Sequence, residues 1–215
     1  MREKEHKGWY KSGNLPHFDE GGLYQFITYR LNDSVPEALR QQLENALNNP
    51  NHSLSQKEMV RRKYLERLMD AGYGSCALQC KENAQLIIDA WQHFNGRRYD
   101  LHTGVVMPNH VHLLVRVYTG VLIGNLVQSW KSFTSRRFVV DEHLGYRPQW
   151  QRGYWDRYIR NEAHYQDALC YIINNPVEAG LVRRVEDWPY YAGSVWPGAS
   201  CRECWPGASS SSSMR

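Results

Sequence analysis

Two histidines separated by one residue stand in the stretch Val105-Val106-Met107-Pro108-Asn109-His110-Val111-His112-Leu113-Leu114-Val115. Side chains two apart on a strand leave from the same face. Two strand positions span about 6.6 Å of backbone, a gap that two imidazoles can close onto one ion held at about 2.1 Å from each. The chemistry open to the pair is therefore metal coordination. Spacing alone does not require it, because a His-x-His pair in a strand is more often two tolerated polar positions. The neighbours change the balance: Val111, Leu113, Val115 and Val117 fill the alternate positions, so the histidines face away from the apolar side. A second pair, Tyr171 and Asn175, lies at i and i+4 of a helical stretch and hence on one face. Tyrosine has a reference pKa near 10 and is a poor nucleophile at neutral pH unless something assists it. A core tyrosine is the ordinary alternative, but Tyr171 falls about 100° from Ile172 around the helix, off the stripe of Tyr165, Leu169 and Ile172.

The elements that must position these residues follow from pattern. Pro108-Asn109 suits the centre of a β-turn, which gives a hairpin from Tyr99–Met107 to His110–Val117. Leu23–Leu31, aromatic and β-branched, reads as a first strand lying centrally in the sheet. Ser34-Val35-Pro36-Glu37 has the form of a capping box ahead of a helix carrying Leu39, Leu43 and Leu47, stopped by Asn48-Asn49-Pro50-Asn51. Ser55-x-x-Glu58 opens a second helix with Leu65, Leu68 and Met69 on one side. Its Lys57, Arg61, Arg62, Lys63 and Arg67 read as a solvated face more readily than as phosphate contacts. Asn83–Phe94 makes a third helix, Val121 to about Val140 a long fourth, and Asn161 caps the tyrosine helix. This order is compatible with an α+β sandwich, an antiparallel sheet covered on one face by helices.

At 215 residues the chain suits one domain of good size with tails. Net charge of +4 and a pI near 8.8 permit a polyanionic partner. Eight tryptophans and fourteen tyrosines exceed what a core needs, so some should form stacking or interface surface. The charged N-terminus argues against a secretory signal, and no run approaches the roughly 18 apolar residues of a membrane span. Five cysteines, an odd number, fit a reduced, cytoplasmic protein; Cys76-x3-Cys80 and Cys201-x2-Cys204 could share zinc, but the second pair lies in a biased tail. That tail, 194–215, repeats Trp-Pro-Gly-Ala-Ser and ends in serines, and disorder is expected.

Met107-Pro108-Asn109-His110-Val111-His112-Leu113-Leu114-Val115 resembles the His-hydrophobic-His (HUH) motif of single-tyrosine, insertion-sequence-200-like transposases. Tyr171-Ile172-Ile173-Asn174-Asn175-Pro176-Val177-Glu178-Ala179-Gly180-Leu181-Val182 resembles the tyrosine segment of their REP-associated branch, the RAYT proteins. The blocks occur in the family's order, and the similarity runs from about Gly8 to about Trp188. The resemblance implies a ferredoxin-like sandwich with its active site on the open face. It also implies Tyr171 as nucleophile, and Mg2+ or Mn2+ held by His110, His112 and Asn175. The implied reaction is cleavage and rejoining of single-stranded DNA beside REP-type hairpins through a 5′-phosphotyrosine. It further implies an N-terminal arm, 1–20, that touches the hairpin through Trp9 and Tyr10, and a catalytic domain over 21–193. Lys131, Arg136 and Arg137 on the long helix, with Arg152, Arg157 and Arg160 before the tyrosine helix, are the candidate basic contacts. Monomer and homodimer are both compatible with it. Two competing readings stand beside it: a hairpin-binding protein that has lost cleavage, and a metal-dependent hydrolase in which water attacks.

Overall fold

The structure, a computed structural model, describes residues 8–12, 15–47, 53–140 and 145–195. The chain opens with a two-stranded antiparallel hairpin, β1 (Gly8–Ser12) and β2 (Leu15–Asp19). There follow β3 (Tyr24–Arg30), α1 (Glu37–Leu47), α2 (Leu54–Asp70), a 3₁₀ turn at Ala77–Gln79 and α3 (Lys81–Gln92). Then come β4 (Tyr99–Val106), β5 (His110–Val117), α4 (Ile123–Ser135), β6 (Trp155–Tyr158), α5 (Glu162–Glu178) and β7 (Tyr191–Ala192). Strands β6-β3-β5-β4-β7 form one antiparallel sheet. The protein is α+β, with the β4–β5 hairpin where the Pro-Asn turn predicts it.

Side-chain alternation divides the sheet into two faces. Ile27 and Tyr29 of β3 join Val111, Leu113 and Val115 of β5 in a core with Ile87 and Trp91 of α3 and Leu126 and Trp130 of α4. Their neighbours Phe26, Thr28 and Arg30, paired across from Leu114, His112 and His110, point the other way. The face expected to stay open carries a helix: Tyr165, Leu169 and Ile172 of α5 pack on Val105 and Leu114. An apolar stripe of that length must be covered, and this half of the sheet covers it. A smaller core of Val35, Leu43, Leu47, Leu65, Leu68 and Met69 joins α1 to α2.

Local corrections have local causes. Ser34 does not cap α1; its buried hydroxyl donates to Leu31 O at 2.8 Å and accepts from Arg30 at 3.0 Å. The capping box of α2 is Ser53 with Gln56, two residues ahead of the Ser55-x-x-Glu58 expected. The helix α4 stops at Ser135, short of Val140. The described part of the patternless N-terminal arm forms the strands β1 and β2. The tail lies outside the described residues except for Ser194 and Val195, whose amides donate to Leu101 O and His102 O. Gly193, at φ +116°, lets the chain close on β4, since a Cβ there would sit 2.4 Å from His102 O.

Candidate active site

Strand pairing puts His110 opposite Arg30 and His112 opposite Thr28, and all four side chains are buried. The two Nε2 atoms face each other at 3.1 Å. Both outer nitrogens are tied, His110 Nδ1 to Asn109 Oδ1 at 2.8 Å and His112 Nδ1 to Thr28 Oγ1 at 2.7 Å. The Asn109 amide has a forced orientation: its Nδ2 donates to Met69 O at 3.1 Å and Tyr73 O at 2.8 Å, so Oδ1 is left to accept from His110. His110 therefore carries its proton on Nδ1 and presents a lone pair at Nε2. Burial, then the Arg30 charge, brings His110 down to about 3. Burial and His110 hold His112 well below its ordinary value. Both imidazoles are neutral, as ligation requires.

Tyr171 is brought to this pair from α5. Its ring meets His112 edge-on with centroids 5.1 Å apart, and Phe26 at 5.8 Å. Burial, then Glu66, Asp70 and Glu178, raise its phenol above the usual range, so it is protonated at neutral pH. One turn on, Asn175 is 1% exposed and neither its Oδ1 nor its Nδ2 has a hydrogen-bond partner among the described residues. A buried amide with both ends unpaired fits a site meant for something not made of protein. Among the described residues no three His, Cys, Asp or Glu side chains are gathered closely enough to hold an ion by themselves, so the fit rests on mixed donors. Two atoms bound at right angles to one ion, each ~2.1 Å away, lie roughly 3.0 Å apart; the imidazole nitrogens already do.

Sequence reasoning missed much of the surrounding wall. Asp70, at the end of α2, puts Oδ1 3.7 Å from His110 Nε2; burial, then Glu66 and Glu178, raise its carboxyl to about 6. A cleft of about 210 Å³ beside Tyr171 is lined by Phe26, Arg62, Glu66, Arg157, Asp167 and Ala168. Arg62 enters this cleft rather than a solvated helix face, and nothing in the period of α2 distinguishes it from Lys63 or Arg67. Thr28 and Arg30 could have been found only by pairing β3 with β5.

The candidate nucleic-acid contacts separate into groups. Tyr10, Lys131, Arg136 and Arg152 line one groove of about 650 Å³ with Trp150 and Tyr154. Lys131 is engaged in structure there, donating to Gln151 O at 2.5 Å and Gly153 O at 2.7 Å. Arg157 lies instead in the cleft beside Tyr171. Trp9, 65% exposed, and Arg160 both lie against Tyr158. Arg137 stacks over Phe133, 4.1 Å from the ring centre, apart from the groove and the cleft.

Residues 75–175 match the family model described as "Transposase IS200 like", and His110, His112, Tyr171 and Asn175 all fall within the matched span. The relatives are more particular. The chain is 31% identical over 98 residues to the REP-associated tyrosine transposase of Escherichia coli (strain K12), covering 44% of this chain and 54% of that protein. It is 31% identical over 94 residues to a putative REP-associated tyrosine transposase of Haemophilus influenzae, covering 40% and 53%. It thus spans about half the length of the curated relatives it matches. A solved REP-associated tyrosine transposase bound to a REP hairpin is 20% identical with a TM-score of 0.48, over 81% of this chain and 79% of that one. No helix among the described residues is long and apolar enough to cross a membrane.

Proposed function

We propose that the protein is a single-stranded DNA endonuclease and strand transferase that works beside REP-type hairpins, with Tyr171 as nucleophile. The observation that carries the reading is the meeting of Tyr171 and His112, 59 positions apart in sequence, at 5.1 Å between ring centres inside the transposase-matching span. In the proposed step the Tyr171 phenol oxygen attacks phosphorus, a Tyr–O–P bond forms and the P–O3′ bond breaks. The phenol gives up its proton, the departing 3′ oxygen gains one, and the ester energy is conserved in the 5′-phosphotyrosine for rejoining. His110, His112 and Asn175 would hold a divalent ion, Mg2+ or Mn2+, whose chemistry when bound is to polarise the phosphate and neutralise developing charge. Imidazole donors suit Mn2+ at least as well as Mg2+.

The chain's own groups support a phosphodiester at this position. Arg62 and Arg157 share the cleft beside Tyr171, and burial together with Arg62 lowers Arg157 from its ordinary value. A phosphate between the two guanidiniums would relieve that repulsion. The groove that Arg136 and Arg152 line is the proposed seat of the hairpin. Gln151–Tyr154 also border a smaller hollow that reaches Thr28, the hydrogen-bond partner of His112, a route from the groove toward the reacting strand.

The test is incubation with end-labelled hairpin DNA carrying a single-stranded flank, in Mn2+, followed by denaturing gels. Wild type should yield a protein–DNA adduct, and Tyr171→Phe should yield none while still binding the hairpin. Hairpin binding without any wild-type adduct would make the protein a non-catalytic binder. Undiminished cleavage by Tyr171→Phe would make water the nucleophile.

A further inference from the structure

Asp70 stands in the site for reasons that packing does not supply. Its Oδ1 is buried and has no hydrogen-bond partner among the described residues. His110 Nε2, 3.7 Å away, is too far for a hydrogen bond. It is also the wrong kind of atom, because Asn109 fixes the His110 proton on the far nitrogen and leaves a lone pair facing the carboxylate. Two electron-rich atoms turned toward each other without a proton between them are the arrangement of ligands around a cation. Atoms bound ~2.1 Å from one ion are separated by roughly 3.0 Å at right angles and roughly 4.2 Å when opposite. The 3.1 Å between the imidazoles and the 3.7 Å from Asp70 to His110 both lie in that window; as they stand the three do not yet make a complete cluster, so the carboxylate would close on the ion by a turn of its own side chain.

A second observation is independent of the carboxylate. Asn175, 1% exposed, supplies an amide from α5 with both ends unpartnered. The position of Asp70 is also held rather than incidental. Met69 beside it is 1% exposed, and its carbonyl accepts from Asn109, the residue that orients His110. The last turn of α2 is thereby fastened to the histidine turn.

We propose that Asp70 is an additional, anionic ligand to the divalent ion, supplied by a helix that precedes the transposase-matching span of residues 75–175. This rests on the ion-site reading of His110 and His112. It adds one negative charge to two neutral nitrogens and an amide, and it makes the end of α2 part of the ion site.

The test is a Mn2+ titration followed by the electron paramagnetic resonance signal of the free ion, on wild type, His112→Ala, Asp70→Asn and Glu66→Gln. Wild type should bind one ion and His112→Ala none at this site. Asp70→Asn, which keeps side-chain volume, should weaken binding about ten- to hundredfold. Glu66→Gln removes the same charge one helical turn earlier and should change affinity far less. Hydrogen exchange on the same samples should slow across 67–72 when Mn2+ is added to wild type, and should not respond in Asp70→Asn. If wild type and His112→Ala bind Mn2+ alike, the ion-site reading itself fails. If His112→Ala loses the ion while Asp70→Asn holds it like wild type, only the role of Asp70 fails. Equal weakening by Asp70→Asn and Glu66→Gln would reduce Asp70 to a distant charge and overturn its ligation.

Discussion

The amide of Asn109 has its Nδ2 between Met69 O and Tyr73 O and its Oδ1 on His110. One side chain thus sets the tautomer of a proposed ligand and anchors the end of α2. Truncation should therefore be felt twice. Asn109→Ala takes the side-chain donor from Tyr73 O and one donor from Met69 O, which keeps the Gly72 amide, costing about 1–3 kcal/mol of stability. It also frees the His110 ring, which should lower Mn2+ affinity about ten- to hundredfold. Asn109→Asp keeps an acceptor for His110 but loses both donated bonds, so it should retain more affinity than Asn109→Ala while melting early. Calorimetric titration and thermal melts measure the two losses separately; unchanged Mn2+ affinity in Asn109→Ala would mean that the ring is held by something else. The sequence showed Asn109 only as a turn residue. Its carbonyl partners lie 40 and 36 positions away, and no local period reports them. His110, His112 and the Tyr171–Asn175 pair were legible because their geometry is set by i+2 and i+4 spacing.

At the scale of elements, legibility followed hydrophobic period. The interior strands β3 to β5 and the helices α3, α4 and α5 have faces that must be buried, and their sequences show it. The N-terminal hairpin does not, because it rests on the sheet edge through polar and aromatic contacts. His17 and Asp156 form a buried pair, 1% and 0% exposed. Tyr10 and Tyr154 share a hydrogen bond of 3.1 Å, and Phe18 meets Tyr158 at 4.7 Å. Strand β7, two residues long, was equally invisible, as was the turn of α2 that carries Asp70 to the histidines. The hairpin contributes Tyr10 to the groove, so its attachment should matter for nucleic-acid binding. Asp156→Ala strips the carboxylate from the His17 ring nitrogen Nδ1 and should cost about 3 kcal/mol or more. The loss should be localised, with hydrogen exchange accelerating across 8–19 before the sheet opens, and hairpin affinity should fall while Mn2+ affinity holds. Exchange that accelerates equally in β4 and β5 would mean that the hairpin is not a separable element.

The whole molecule concentrates neutral imidazoles on the α5 side of its sheet. His102, bonded to the Tyr165 hydroxyl at 2.9 Å, is lowered by burial, as are His110 and His112. Each is uncharged when folded and takes up a proton near pH 6.5 when unfolded. Below that pH the unfolded chain binds more protons than the folded one, so stability falls with acidification. Above it these three groups contribute no slope. For His110 the loss extends down to about pH 3. The contribution of these imidazoles to the urea midpoint should therefore be level above about pH 7 and drop between about pH 6.5 and 5; Asp70 and Glu66, both raised by burial, oppose that drop, so it is read most clearly in Asp70→Asn/Glu66→Gln. His102→Gln, which keeps a polar atom for Tyr165 but cannot be protonated, should make that drop shallower. Saturating Mn2+ at pH 7.5 should raise the midpoint of wild type, by about 2.7 kcal/mol at a hundred times its dissociation constant. It should do nothing for His112→Ala. An acid slope that is identical in wild type and His102→Gln would remove His102 from the cause and leave the decline to the ligand pair. A gain of stability on acidification that persists in the Asp70→Asn/Glu66→Gln double variant would mean that these imidazoles are charged in the folded state.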